Sequence, residues 1–511
     1  MREKNVAERI MGNVSCCTSK EDVLLDTLKK PLVLCGPVVG AVTDNSANLL
    51  LELDCDVEVT CVATALSYGD QEVEVRTRFF RHDPGVIMLR GLRPLTTYRI
   101  SWRPPLQFSG DASLMDHGAT QRGLCVVRTL PKETNLQHLQ ILAVSCNRLS
   151  ASMRAPGQSL WWPIAQICES GQCDILLHLG DQVYTRDNAS WKCQAEALFE
   201  KAESMETVDE RQDLELEATR CLQEAYRQTW TFPATALALA QTSNLMMWSD
   251  NDVINDFNTV DYRSYTPRLV QSAMSVYRMY QRQLWDPNCG GVEDKEHVEE
   301  WHFHRHGPVG IFMLDLRGNR IDPAGTRKDG SLISKKQQQA VEDAFQTPAL
   351  RYMLLCSEMP LVWERPEIVK QKAKSLGFLR DHWLYNLPEL TWLLELCFKW
   401  KAASAARDVL FLGGDLHVCI YSVIYDKITE NNIRCITTSP VSNEVARFIA
   451  HHEGEINERF TYRHEPVLGM KTFCKIDIGL TGDSCETKVE LVTGMETKPT
   501  TAPLRKVHTW Y

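Results

Sequence analysis

Six continuous apolar stretches constrain this chain most: LQILAVSCN (139–147), CDILLHLGDQVY (173–184), NLMMWSDND (244–252), VGIFMLDLR (309–317), RYMLLCSEMP (351–360) and DVLFLGGDLH (408–417). Polar and apolar residues do not alternate in them, so each reads as a strand covered on both faces. Helical segments separate them, SLWWPIAQICES (159–170) being one. Such alternation predicts an α/β domain over 137–511, with layered sheets flanked by helices. A Glu-rich stretch at about 190–228 interrupts it and predicts a solvated helical hairpin without a catalytic role. Strand-like runs return after 430, in NIRCITTSPV, FCKIDIGL and CETKVELVT, and are expected to complete a second sheet of the same domain.

Residues 31–130 read differently. Short Val-, Thr- and Leu-rich runs broken by turn signals predict a β-sandwich. Its Leu92-x-Pro94-x-x-x-Tyr98 element resembles the strand-turn-strand of fibronectin type III modules, in which a tyrosine packs across the corner. Support, or contact with a protein partner, is its expected role. Residues 1–30 read as a flexible leader. Within it, MGNVSCC (11–17) resembles a lipid-anchor signal only if translation starts at Met11, leaving Gly12 N-terminal beside Cys16 and Cys17.

Composition narrows the function classes. Of 511 residues, 44% are hydrophobic and 24% charged, which excludes disorder as the main state. A net charge of −10 argues against a dedicated nucleic-acid binder, whose footprint is basic. No apolar run reaches the ~20 residues of a membrane-spanning helix. The 18 cysteines contain no CxxC pair and the N-terminus no apolar signal core, so a cytoplasmic protein with reduced thiols is expected.

The residues just after each buried strand carry the chemistry. The strand ends deliver Ser145-Cys146-Asn147, Gly180-Asp181 with Tyr184, Asp250-Asn251-Asp252, and Gly413-Gly414-Asp415 with His417. Open α/β sheets place ligand sites at the carboxyl ends of strands. Carboxylates suit hard cations, while thiolate, phenolate and imidazole add softer or ferric character. Asp415 and His417, two apart, face the same way along an extended chain. Gly413 and Gly414 are expected to clear space beside a ligand. Any one of these motifs alone is a common structural feature; their order at successive strand ends is what carries weight.

That order resembles the PhoD-like alkaline phosphatases of the binuclear metallophosphoesterase superfamily. Ser145-Cys146, Gly180-Asp181 with Tyr184, Trp248-Ser249-Asp250-Asn251-Asp252 with Asn255, Leu314-Asp315-Leu316-Arg317 and Gly414-Asp415-Leu416-His417 match the family's five blocks in sequence. The resemblance covers about 140–420 and implies a metallophosphoesterase-type sheet sandwich. It also implies a pair of metals, ferric iron (Fe3+) with calcium (Ca2+), although other divalent ions suit the same ligands. Cys146, Asp181, Tyr184 and Asp415 would hold the iron. Asp181 would bridge to the second metal, with Asp250 or Asn255 and His417 nearby. Two metals ~3.5–4 Å apart clamp the attacking and leaving oxygens and yield a metal-bound hydroxide, hydrolysing phosphomonoesters or phosphodiesters. Arg317 either contacts a phosphate oxygen or ties Asp315 to the sheet edge. With Asn251 and Asp252 it completes the candidate catalytic set.

One departure opens a second reading. The family's third block carries a histidine, the expected proton donor, where this chain has Asn251, and Ser249 replaces an acid. General acid catalysis is worth ~10²–10⁴-fold, and asparagine cannot provide it. The chain is then a metal-binding scaffold or pseudo-phosphatase with weak catalysis. His178, His302, His304 and His306 are the substitute donors on offer, although the three in WHFHRHG read first as a solvated or structural strand face. A purple acid phosphatase branch ranks third, because those metal sets begin with Asp rather than Cys146.

Overall fold

The computed structural model describes residues 30–66, 71–108, 124–187, 190–255, 257, 267–289, 300–318, 331–375, 377–446, 451–481, 484–494 and 507–510. The leader with Gly12, Cys16 and Cys17 lies outside them. Between Leu32 and Arg128 runs a sandwich of short strands: β1 (Leu32–Val42), β2 (Ser46–Leu53), β3 (Val57–Ala65), β4 (Glu72–Phe79), β5 (Gly85–Arg90), β6 (Thr97–Arg103), β7 (Gln107–Phe108) and β8 (Cys125–Arg128). One sheet runs β5-β2-β1-β7 and the other β4-β3-β6-β8. Period-2 patterning builds the core between them: Leu49 and Leu51, Cys61 and Ala63, Ile87 and Leu89, Tyr98 and Ile100 all point inward. The Tyr98 hydroxyl accepts from the Arg93 amide (2.7 Å) and donates to Gln71 (2.7 Å), pinning the turn before β6.

Beyond it the chain alternates strand and helix. The elements are β9 (His138–Val144), α1 (Leu149–Arg154), α2 (Trp161–Glu169), β10 (Ile175–Leu179), α3 (Trp191–Glu203), α4 (Val208–Trp230), α5 (Pro233–Leu239), β11 (Ser243–Met247), α6 (Pro267–Tyr280), β12 (His302–His306), β13 (Val309–Met313), α7 (Lys335–Phe345), β14 (Tyr352–Cys356), α8 (Pro366–Ala373), α9 (Leu387–Ala402) and β15 (Asp408–Gly413). Strands β16 (Cys419–Asp426), β17 (Asn432–Thr437), β18 (Glu453–Glu455), β19 (Phe460–Leu468), β20 (Thr472–Thr481), β21 (Ser484–Thr493) and β22 (Val507–Trp510) complete the chain. Two sheets result, β11-β10-β9-β20-β21-β22 and β12-β13-β14-β15-β17-β16-β19-β18. The late strands are therefore shared between both sheets, not gathered into a second one. Leu177, Ile141 and Ile476 of the first sheet share one apolar core with Leu354, Leu410 and Ile436 of the second. Helices α2, α4, α5 and α6 cover the first sheet's outer face, and α7, α8 and α9 the second's.

The Glu-rich hairpin is α3 and α4, and only one of its faces is solvated. Thr207 caps α4, its side chain accepting from the Glu210 amide. Leu222, Tyr226 and Trp230 are buried in a core that also holds Cys35, Val38 and Leu50 of the sandwich. Burying each large side chain contributes ~1.5–3 kcal/mol. Glu52 of β2, fully buried, receives Arg227 Nε (2.9 Å) and the Tyr280 hydroxyl (2.6 Å). The hairpin is thus a strut between the two modules. Among the described residues no helix is long and apolar enough to cross a membrane.

Candidate metal centre

Parallel pairing fixes where the chemistry goes. Strands β9, β10 and β11 run parallel, as do β13, β14, β15 and β17. Their carboxyl-end loops meet: the Cys146 amide donates to Gly180 O (3.4 Å), that of Asn147 to Asp181 O (2.9 Å) and that of Asn443 to Cys146 O (3.2 Å). Glycines permit this approach. A Cβ on Gly180, at φ 85°, would lie 2.7 Å from Ser249 Cβ, and one on Gly414 2.7 Å from the Leu179 carbonyl oxygen. The expectation for Gly413 and Gly414 is corrected accordingly: they make room for protein loops, Gly413 for the Pro360 backbone.

Cys146, Asp181, Asp415 and His417 all adopt positive φ, at 57°, 56°, 65° and 53°. Such backbone is costly for side-chain-bearing residues and persists where the surrounding fold imposes it, often at functional sites. Ligand atoms of Cys146, Asp181 and His417 lie within 4.8 Å of one another. The Tyr184 hydroxyl donates to Asp181 Oδ2 (2.8 Å) and sits 3.1 Å from His417 Nε2. His417, expected beside the second metal, therefore shares a cluster with Cys146 and Tyr184. Asp415 is half-buried, and its charge acts on both Cys146 and Asp181.

The third block packs against this cluster. Asn251 donates from Nδ2 to Asp181 Oδ2 (3.2 Å) and Asp250 Oδ1 (3.4 Å), clamping two acids together. Asp252 turns away from the cluster. Its carboxylate accepts from the amides of Asp181, Gln182, Val183 and Ser249 and from Gln281 Nε2, so it organises the loop that carries Asp181. Asn255 is exposed, unlike every other member of the expected set. Arg317 is buried, with Nε on Glu358 (2.6 Å), Nη1 on the Phe257 carbonyl (2.7 Å) and Nη2 3.8 Å from Asp250. Asp315 is held instead by the Arg317 and Gly318 amides and the Trp248 indole, so the guanidinium does not tie it to the sheet edge.

The candidate proton donors are engaged elsewhere. His178 meets Gln182 Oε1 (2.8 Å) and Asn244 Oδ1 (2.9 Å), and burial pushes its pKa down to about 4. His302 pairs with His304 (2.6 Å) and with the Met246 carbonyl (3.0 Å). His302 is buried and His304 half-buried, so of the two expected alternatives, a solvated or a structural strand face, the histidines take the structural one. His306 lines a small cavity with Thr43, Leu130 and Glu133.

Sequence reasoning misses several neighbours of the cluster. Asn443 Nδ2 reaches His417 Nε2 (3.1 Å), its amide oriented by the Glu444 N–H on Oδ1 (2.7 Å). Ser439 Oγ donates to Cys146 Sγ (3.1 Å) and accepts from the His417 amide (3.1 Å). Both lie beyond the carboxyl end of β17, and that position is the one signal in the sequence that points to them. Arg148, directly after Cys146-Asn147, stands over the Tyr184 ring.

Electrostatics test whether a cation fits. Burial pushes the Asp181 carboxyl well above the usual range, with Asp250, Asp252 and Asp415 adding to it. Burial likewise raises the Cys146 thiol and the Tyr184 phenol, the Asp181 charge reinforcing both. Burial lowers His417 to about 4, leaving a neutral imidazole. Arg317 is raised despite its burial, chiefly by Glu358, the acid its Nε contacts. Buried acids that repel one another, beside a neutral imidazole, form a donor set that a metal cation stabilises.

The two-sheet α/β domain gathers thiol, phenol, carboxylate and imidazole at its strand ends, a donor set suited to a metal ion. Comparison with known proteins gives the family. The model of the PhoD-like phosphatases matches residues 141–489, and the chain belongs to this family of phosphoester hydrolases. A solved structure titled "Structure of PhoD" superimposes with a TM-score of 0.60 at 12% identity, covering 89% of each chain. A putative β-galactosidase from Bacteroides fragilis, 7% identical over 90% of this chain and 74% of its own, reaches a TM-score of only 0.21. No curated protein matches the sequence.

Proposed function

We propose that the chain hydrolyses phosphate esters, monoesters or diesters, at a two-cation centre. Its ligands are Cys146, Asp181, Tyr184, Asp415 and His417 with Asp250 and, by resemblance, Asn255, and the pair is Fe3+ with Ca2+. One observation carries the reading: the Cys146, Asp181 and His417 donors converge within 4.8 Å, with the Tyr184 hydroxyl on Asp181. When bound, the cations would neutralise phosphoryl charge and acidify an attacking water. The protein's part is positioning. Asp252 holds the loop of Asp181, Asn251 holds Asp181 against Asp250, and Asn443 directs an N–H at His417 Nε2. Cys146, Asp181 and Tyr184 give up their protons to bind cations, so affinity rises with pH.

The same reading makes the catalytic domain a metallophosphoesterase-type sandwich of two sheets and the N-terminal module fibronectin type III-like. Strand order and the Tyr98 corner support it. The reading keeps the protein in the cytoplasm with its thiols reduced; the cysteines of the described residues form no disulfide. A protein partner for the sandwich remains part of the proposal.

Chromogenic phosphomonoester and phosphodiester hydrolysis by metal-replete protein, with Asp181→Asn as control, tests it. Turnover that vanishes in the control supports the reading; bound metal without turnover rejects it. Asn251 favours a second reading, a weakly catalytic scaffold, because its amide spans two acids and supplies no proton. Asn251→His separates the two: a gain in turnover identifies a centre short of a proton donor, whereas no gain over an already fast wild type rejects that view.

A further inference from the structure

Arg148 stands on the rim of the metal site, its Cζ 5.9 Å from the centre of the Tyr184 ring. Its Nε donates to Asp187 (3.0 Å), which is buried and also accepts from the Ser150 amide (2.7 Å) and hydroxyl (2.5 Å). The guanidinium is thus fixed along one edge. Among the described residues its Nη1 and Nη2 have no protein acceptor, and the side chain is 38% exposed. Glu444, a further acid near His417, pairs with Arg154 and not with Arg148, whose one ion-pair partner among the described residues is Asp187.

We propose that Arg148 grips a third non-bridging oxygen of the bound phosphoryl group, making the site selective for phosphomonoesters over phosphodiesters. The inference rests on the phosphoesterase reading and sharpens its substrate class. A monoester dianion carries three non-bridging oxygens and a diester two. Cations held at the cluster would engage part of the phosphoryl group, and the monoester offers one more unesterified oxygen than the diester for a planar fork on the rim. The monoester's second negative charge is also the one that an additional cation favours.

Metal-loaded wild type, Arg148→Gln and Arg148→Lys are compared on p-nitrophenyl phosphate and bis(p-nitrophenyl) phosphate. Binding of inorganic phosphate is measured by calorimetry as a second readout. In Arg148→Gln, kcat/KM for the monoester is expected to fall about 10- to 100-fold, mostly through KM, while the diester changes less than about threefold. Phosphate affinity falls in parallel, and lysine recovers part of both. Equal losses on the two esters overturn the proposal, because they mean that Arg148 only balances Asp187. Unchanged phosphate affinity overturns it as well. If wild type turns over neither ester yet binds phosphate through Arg148, the hydrolysis reading falls and the anion site stands.

Discussion

Glu52 and Asp181 are both carboxylates with essentially no exposure, and their surroundings are opposite. Glu52, in the seam between the modules, receives the Arg227 guanidinium and the Tyr280 hydroxyl. Asp181 receives only neutral donors, from Tyr184 and Asn251, and faces the charges of Asp250, Asp252 and Asp415. The nearest buried cation in that region, Arg317, is taken by Glu358. A buried acid whose counter-charge is built into the chain holds modules together. One whose counter-charge is missing from the chain stays protonated unless a cation arrives, which in the proposed function is the metal.

Four measurements break or sharpen this contrast. Glu52→Ala strands Arg227 and should destabilise the protein by about 3–5 kcal/mol in urea unfolding; a loss below about 1 kcal/mol would show the seam to be incidental. Adding cations at about 100 times their Kd should stabilise wild type by about 2.7 kcal/mol and Asp181→Asn by much less; equal gains would locate binding elsewhere. Without cations Asp181→Asn should be more stable than wild type at neutral pH, the reverse of its effect on turnover. Because the folded pKa of Asp181 is raised, the stability this group contributes is lost as pH climbs from about 4 toward neutrality, and the variant should lack that contribution to the slope. The exposed Lys427–Glu455 pair sets the floor, Lys427→Ala costing at most about 1 kcal/mol.

Much of this is legible in the sequence. Each of the six apolar runs contains a buried strand, and the strands end before the chemistry begins: β10 stops at Leu179 and β15 at Gly413. The five ordered motifs lead to the family that the comparison gives. The features that escape have a physical reason. Glu52 looks like an ordinary strand acid until Arg227, 175 residues later, covers it. A helix rich in glutamate reads as solvated because its buried face, Ala218, Leu222, Tyr226 and Trp230, is a minority of its residues. Asn443 and Ser439 lack the residue types that advertise metal chemistry, and only their place after β17 brings them to His417 and Cys146. Asp252 reads as chemistry because it stands in an acidic block; its five N–H donors show it serving the loop.

The left-handed backbone at Cys146, Asp181, Asp415 and His417 bears on the order of assembly. A metal can recruit its ligands from a loose chain when those ligands reach it in relaxed conformations, as small zinc modules do. Here four positions hold a backbone conformation that is costly for side-chain-bearing residues and is held by the surrounding fold, so folding first and loading afterwards is the expected order. A chelator should then yield an empty but intact scaffold, and reloading it should be limited by entry to the pocket and not by refolding.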